Sequence, residues 1–595
     1  MNKKDTGKRF FLIAVAVLVL ATFCAYAVAS SFFTTKIQRM TIPAEDGKSL
    51  SYELWVPNTA TNKNPAPIFI CFPGRSSNSH QLDMWCMEMA REGYVALSAD
   101  LTGNGETEIM SQRDSYYNAV MDNVLSMPFV DSTKVIAFGN SAGNGSAIGI
   151  AKNYPDNVCF YVCDVYTQLC PTAEDNPPIN TLVVQAVADQ YNYTFVGNWQ
   201  DQLDKVQTAF GLDEPAVSGK YYGNKDDGTL RRWVVTNSIH QSSALDFEGI
   251  SATKETLRYA LGNYKGTTVT SNIAWLYQIV ETVAYAGIIL FICALGNLLY
   301  QNVPFFNKIG NEVTTNKGLR GKKLTTNVLI TLGIQLVTFI PVSWFFHNAT
   351  FLDGIFKSRN LRGMIGWLLT NAIIGLVMTY ISKKKAKKNG LEVTAADLGY
   401  AGEGEKLELH KVGRAFLLAC ILVMIVYSWV RFVETMTGLN YQIWNVLNIS
   451  EIPRSRVFVA IPFILCTLVI MLGGNIGMNT TRRLADTGNY KKDMFVQICL
   501  NVLCSAGVII FLLLAQYGIG FLTKGTYIMP QLNNPSGGGT SVGSLDFSFG
   551  FPLIMGFSAG MSTYFFKKTN NIWLGLFTAA IFGGIVGVVG ATFFA

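Results

Sequence analysis

From residue 273 onward the chain comes almost entirely as long apolar blocks, and this constrains its fold more than any motif does. A run of roughly 18 or more residues with few charges fits the hydrocarbon core of a bilayer, about 30 Å thick. Such blocks occupy 273–300, 325–346, 364–381, 415–433, 457–474, 494–516, 549–566 and 572–594, with a ninth at 10–33 behind Lys3, Lys4, Lys8 and Arg9. The sequence therefore predicts about nine helical crossings, eight of them forming an all-α polytopic transmembrane domain over 267–595. Residues 1–34 read as an uncleaved anchor or, given Ala25-Tyr26-Ala27, as a signal peptide. Either reading exports the segment behind it.

Half of the 595 residues are hydrophobic and the formal charge is only +7, so a nucleic-acid surface is not expected. Lys and Arg gather beside the apolar blocks instead. Lys317/Arg320/Lys322/Lys323, Lys383–Lys385/Lys387/Lys388, Arg482/Arg483/Lys491/Lys492 and Lys567/Lys568 fall in every second loop, on the side of the N-terminal cluster. The positive-inside rule then predicts a multi-pass cell-membrane protein with a cytoplasmic N-terminus and an extracytoplasmic C-terminus. The 35–266 segment is extracytoplasmic too. Glu281, inside an apolar block, must face protein, water or a partner. Gly556-x-x-x-Gly560 and Gly583-x-x-x-Gly587 are spacings for close helix packing. The loop at 533–540 reads as a flexible connection.

Residues 35–266 have globular composition. Strands are predicted at 37–42, 51–56, 67–72, 158–163, 181–187 and 231–236, with helices at 82–91 and 146–153 between them. This alternation predicts a mostly parallel sheet flanked by helices, with reactive groups at the strand carboxyl ends. Of the eleven cysteines, Cys159, Cys163 and Cys170 lie close together here and read as free buried thiols or a disulfide. No cofactor motif and no metal constellation emerges, and the sequence names no protein partner.

The segment Gly139-Asn140-Ser141-Ala142-Gly143 follows an apolar strand and precedes a small-residue helix. A sharp strand-to-helix turn leaves no room for side chains flanking the serine, which is why glycine stands at both positions. Together with Phe72-Pro73-Gly74-Arg75 and Asp100…Gly103-x-Gly105, the segment resembles the α/β-hydrolase superfamily. Its short Pro-Gly motif resembles the cutinase, polyester-hydrolase and dienelactone-hydrolase-like branches. Asn144 departs from relatives that carry another glycine there.

The resemblance implies an α/β hydrolase fold, a nucleophile at Ser141, an oxyanion hole from the backbone N–H groups of Ala142 and Arg75, and the chain order serine, acid, histidine. His240, behind the 231–236 strand, fits the base. His80 reads as a solvated helix-start residue. Asp189, after the 181–187 strand, fits the acid, with Asp164 as competitor and Asp100 as a structural position. Aromatics of the 191–227 segment, Tyr191, Tyr193, Trp199, Tyr221 and Tyr222, are candidates for lining the site or for ordinary packing. The implied activity is that of a serine hydrolase, esterase-like, without cofactor, acting on small-molecule or lipid-like acyl substrates from the bilayer. Acyl transfer by the same residues, or a transporter or receptor with a hydrolase-fold binding module, are the alternatives.

Overall fold

The computed structural model describes residues 3–589 except 45–46, 76, 111–112, 166–178, 263–270, 312–317, 357, 391–392, 403–406, 445–446, 450–451, 453–456, 526, 528–544 and 546–547. After helix α1 (Lys3–Ala29), β1 (Thr35–Pro43) and β2 (Ser49–Pro57) pair antiparallel. Then come β3 (Ala66–Phe72), α2 (Asp83–Arg91), β4 (Val95–Ala99), α3 (Arg113–Leu125), β5 (Val130–Asn140), α4 (Asn144–Asn153), β6 (Val158–Asp164) and β7 (Asn180–Ala188). Two short helices, α5 (Gln190–Phe195) and α6 (Trp199–Phe210), precede β8 (Tyr221–Tyr222), β9 (Arg231–Ile239) and α7 (Phe247–Leu261).

The nine strands form one sheet in the order β1-β2-β4-β3-β5-β6-β7-β9-β8. From β4 to β9 neighbouring strands run parallel, while β1, β2 and β8 close the edges antiparallel. The mostly parallel sheet flanked by helices is therefore as predicted. Because helices cover both faces, β3, β4 and β7 are buried along their whole length, which explains their continuous apolar runs.

One face of the sheet packs Ile68, Ile70, Leu97 and Ala137 against α3, α4 and α6. On the other face Phe69, Phe138, Phe160 and Val184 pack against α2 and α7. That second core does not stop at α2. It continues through Tyr277 and Ile288 of α8 (Ala274–Asn302) and Leu18 and Ala25 of α1. Residues Asp83 to Ala90 of α2 are consequently all buried, between the sheet and α8. Lys254 of α7 reaches Glu88 at 2.7 Å and Glu92 at 3.2 Å, so these two buried carboxylates at the end of α2 are ion-paired.

Among the described residues seven helices are long and apolar enough to cross a membrane: Thr6–Ala29, Ala274–Asn302, Gly321–Asn348, Arg359–Lys388, Leu409–Thr437, Ala460–Asn479 and Tyr490–Leu522. The last two expected blocks hold the shorter helices Phe551–Thr569 and Trp573–Val589. Of the two glycine motifs, Gly556, Gly560 and Gly583 do not make the expected close backbone approach, and the surroundings of Gly587 lie outside the described residues. A Cβ at Gly556 would meet only the Val502 side chain at 3.5 Å, and one at Gly583 the Ile554 side chain at 3.6 Å. Close backbone approach occurs at Gly575, where a Cβ would lie 2.7 Å from the Ser562 Cα, and at Gly473, where one would lie 3.0 Å from the Ala372 Cα. Glu281 is fully buried in α8 beside Gln442, where the Leu409–Thr437 helix gives way to β10 (Tyr441–Ile443). Its position is interfacial.

Candidate active site

Ser141 follows the last residue of β5 and has a φ of +50°, a left-handed conformation that costs a side-chain-bearing residue of order 1–3 kcal/mol. The turn is held from both sides. A Cβ at Gly139 would lie 2.4 Å from the Asn144 Cα, and one at Gly143 would lie 2.0 Å from the Phe72 carbonyl oxygen. Asn144, the departure from the pattern of relatives, serves as a brace: its Nδ2 donates to the carbonyls of Ser141 and Asp164, both at 3.0 Å, and its Oδ1 accepts from Tyr161 at 2.8 Å.

Asp189 begins where β7 ends and His240 where β9 ends. His240 Nε2 lies 2.8 Å from Ser141 Oγ, and His240 Nδ1 lies 2.8 Å from Asp189 Oδ2. The carboxylate of Asp189 is fully buried and both oxygens are used. Oδ1 caps α5 by accepting from the backbone N–H groups of Tyr191 at 2.9 Å and Asn192 at 3.3 Å, which leaves Oδ2 fixed toward the imidazole.

The competing carboxyl, Asp164, is in register with Asn140, next to the nucleophile's own strand. It accepts from Asn140 Nδ2 at 2.6 Å. Burial pushes its carboxyl well above the usual range, a shift that the Asn140 hydrogen bond only partly opposes and that nearby Asp246 and Asp189 reinforce. Asp164 thus braces the elbow through Asn140. Asp100 is structural as well, ion-paired with Arg39 and accepting from the backbone N–H groups of Ser79 at 2.6 Å and Glu106 at 2.8 Å.

The Pro73–Arg75 loop passes beside the nucleophile. A Cβ on Gly74 would sit 3.5 Å from the Ser141 Cβ, and the Gly74 N–H is held by Gln81 Oε1 at 3.0 Å. The Arg75 side chain is exposed. Of the candidate aromatics, Tyr191 stands edge-on to His240 with ring centroids 4.5 Å apart. Trp199 packs with Trp233, Tyr221 with Tyr259, and the Tyr222 hydroxyl accepts from the Val217 N–H, so these three are packing residues. Cys159 and Cys163 are free thiols, and Cys170 lies outside the described residues.

Two features escaped the sequence reading. His80 is 1% exposed, not solvated, because α2 and the turn before it are covered by the helical half. The helical half also grips the loops that carry the acid and the base. The Tyr527 hydroxyl donates to the carbonyl of Ala188, the residue before Asp189, and the Tyr193 hydroxyl donates to the Lys524 carbonyl at 2.5 Å. Ile239, the residue before His240, packs against the cluster of Phe339, Met364, Trp367 and Tyr517 from three long helices. Removing the Tyr527 hydroxyl should therefore loosen Asp189 without touching the reacting groups. Tyr527→Phe is expected to lower kcat about five- to tenfold, the worth of roughly one hydrogen bond, with KM little changed, in steady-state assays of the detergent-purified protein.

A serine on a strained strand-to-helix turn, the chain order Ser141, Asp189, His240 and a loop after β3 beside the serine are the features of an α/β-hydrolase fold. No known protein-family profile matches the chain. Among solved structures, the chain is similar to the Pyrococcus furiosus esterase Pf2001 at 15% identity, over 38% of this chain and 94% of that one, with a TM-score of 0.28. It is similar to the esterase LipW of Mycobacterium marinum at 14% identity, over 43% and 90%, with a TM-score of 0.29. Oligopeptidase B of Leishmania major shares 13% identity over 39% and 37%, with a TM-score of 0.28.

Proposed function

We propose that the protein is a membrane-embedded serine hydrolase, acting on carboxyl esters of lipid-like or envelope acyl compounds through an acyl-enzyme. The observation that carries the reading is the hydrogen-bonded chain from Ser141 through His240 to Asp189, with both links at 2.8 Å. His240 takes the Ser141 proton as Oγ attacks the acyl carbonyl, Asp189 holds the imidazole tautomer and stabilises its cation, and the backbone N–H groups of Ala142 and Arg75 receive the oxyanion. His240 then protonates the leaving alcohol. Water activated by the same imidazole releases the acid.

Two further observations support a membrane substrate. The acid and base loops rest on helices long and apolar enough to span a bilayer, and the alternation of basic clusters between loops supports a sheet unit and C-terminus outside with the N-terminus in the cytoplasm. The short Pro73-Gly74 loop, resembling cutinase and dienelactone-hydrolase-like enzymes, favours esters over peptides. Acyl transfer to an envelope alcohol uses the same acyl-enzyme and is the second reading.

A series of p-nitrophenyl esters from acetate to palmitate, assayed with the purified protein in vesicles, tests this. Turnover is expected across the series, with kcat/KM rising toward the longer chains and peptide p-nitroanilides untouched. Cleavage of the anilides without the esters would refute the ester reading, and glycerol diverting the acyl group from water would favour transfer.

A further inference from the structure

We propose that Glu53, His80 and Asp83 of the sheet unit, closed by Asn440 of the helical half, bind one divalent first-row transition-metal ion of the zinc or manganese class. The site lies at the junction of the two halves, remote in sequence from the Ser141 elbow. His80 Nδ1 is 2.9 Å from Glu53 Oε1 and 3.8 Å from Asp83 Oδ2, and the three donor atoms all lie within 4.8 Å of one another. Metal bonds of about 2.0–2.2 Å to nitrogen and oxygen place neighbouring ligand atoms roughly 3–4 Å apart, so one ion fits between these three. One imidazole with two carboxylates suits zinc or manganese.

Hydrogen bonding alone leaves the cluster in conflict. The Asn440 amide nitrogen is 2.7 Å from His80 Nδ1 and 2.7 Å from Asp83 Oδ2. If it donates to both, Nδ1 carries a lone pair, and that lone pair faces the Glu53 carboxylate at 2.9 Å. If Nδ1 carries the proton, the amide must turn over, and its oxygen then faces Asp83 at 2.7 Å. With both carboxyls ionised, either orientation sets two acceptors against each other, and which one an amide adopts is decided by its partners. A cation resolves both, with the amide oxygen as fourth ligand.

The remaining lone pairs point the same way. Asp83 Oδ1 and Asn440 Oδ1 find no hydrogen-bond partner among the described residues, and the groups beside Glu53 are His80 and Asp83 of the same cluster, although Glu53, Asp83 and Asn440 are at most 1% exposed. Arg39, opposite Glu53 in the β1–β2 register, is engaged by Asp100 and Glu106. Gln442 Nε2, 3.0 Å from Asp83 Oδ2, and Tyr277 OH, 3.3 Å from it, orient that carboxylate as outer partners. An ion here would tie α2 to the β10 segment. It would also steady Gln81, the neighbour of His80 that holds Gly74.

The experiment is metal analysis by mass spectrometry of the full-length protein in detergent, tag removed, after loading with Zn2+ or Mn2+ and dialysis, alongside the isosteric double variant Glu53→Gln/Asp83→Asn. The expected result is about one equivalent of metal per wild-type chain, at least a tenfold loss in the double variant, and a wild-type melting midpoint that drops by roughly 5 °C or more on chelation and recovers with metal. If the double variant does not fold, the wild-type content and the reversible chelation shift decide. Folded wild type that stays metal-free after loading, with no midpoint shift, overturns the proposal and leaves protons as what separates the acceptors. Equal metal in a folded double variant overturns it as well.

Discussion

Ser141→Ala should lower ester turnover by on the order of 10⁶-fold, as loss of the nucleophile does in other serine triads, with a residue left from binding and the oxyanion hole. The loss is chemical and not structural. Alanine carries the same Cβ into the same φ of +50°, so the turn held by Gly139, Gly143 and Asn144 is kept. Only Oγ goes, and with it one 2.8 Å contact to His240. The melting midpoint of the variant should stay within about 2 °C of wild type, since one part-buried hydrogen bond contributes on the order of 1 kcal/mol. A large fall in the midpoint would mean that the hydroxyl is structural.

The second large effect separates two carboxyl groups. Asp189→Asn should lower kcat by about 10⁴-fold, whereas Asp164→Asn should stay within about threefold of wild type. At position 189 an amide either offers its N–H to His240 Nδ1, selecting the wrong tautomer, or turns its oxygen to the imidazole and gives up the cap on α5 that Tyr191 and Asn192 complete. At position 164 burial already favours the uncharged form of the carboxyl, and an amide oxygen still accepts from Asn140 Nδ2. Steady-state kinetics on a short-chain ester decides between them. The reverse pattern would move the acid to Asp164.

How far the site could be read from the sequence depends on what holds each residue. The elbow was legible because its glycines answer a local steric demand, and His240 because it opens the turn behind a strand late in the sheet unit. The acid was not settled by sequence. Asp164 and Asp189 both follow or end buried parallel strands, and what tells them apart is the partner each meets: Asp189 Oδ2 lies 2.8 Å from His240 Nδ1, whereas Asp164 pairs with Asn140. His80 was misread for a different reason. Its neighbours Ser76, Ser77, Asn78 and Ser79 have the polarity of a solvated loop, and what buries it includes Asn440, 360 positions away. The same distance in sequence concealed Tyr527, whose partner Ala188 is 339 positions earlier. The apolar blocks fixed where helices form, but not which faces meet: the paired glycines at 556 and 560 lie against side chains, while single glycines at 473 and 575 make the tight approaches.

The most direct test of a working serine nucleophile is covalent labelling of the detergent-purified wild type with a fluorophosphonate probe, with mapping of the modified peptide. One adduct on Ser141 is expected, absent from Ser141→Ala and strongly reduced in His240→Ala. A folded wild-type protein that takes no label would contradict a working triad and favour a transporter or receptor whose hydrolase-fold unit only binds.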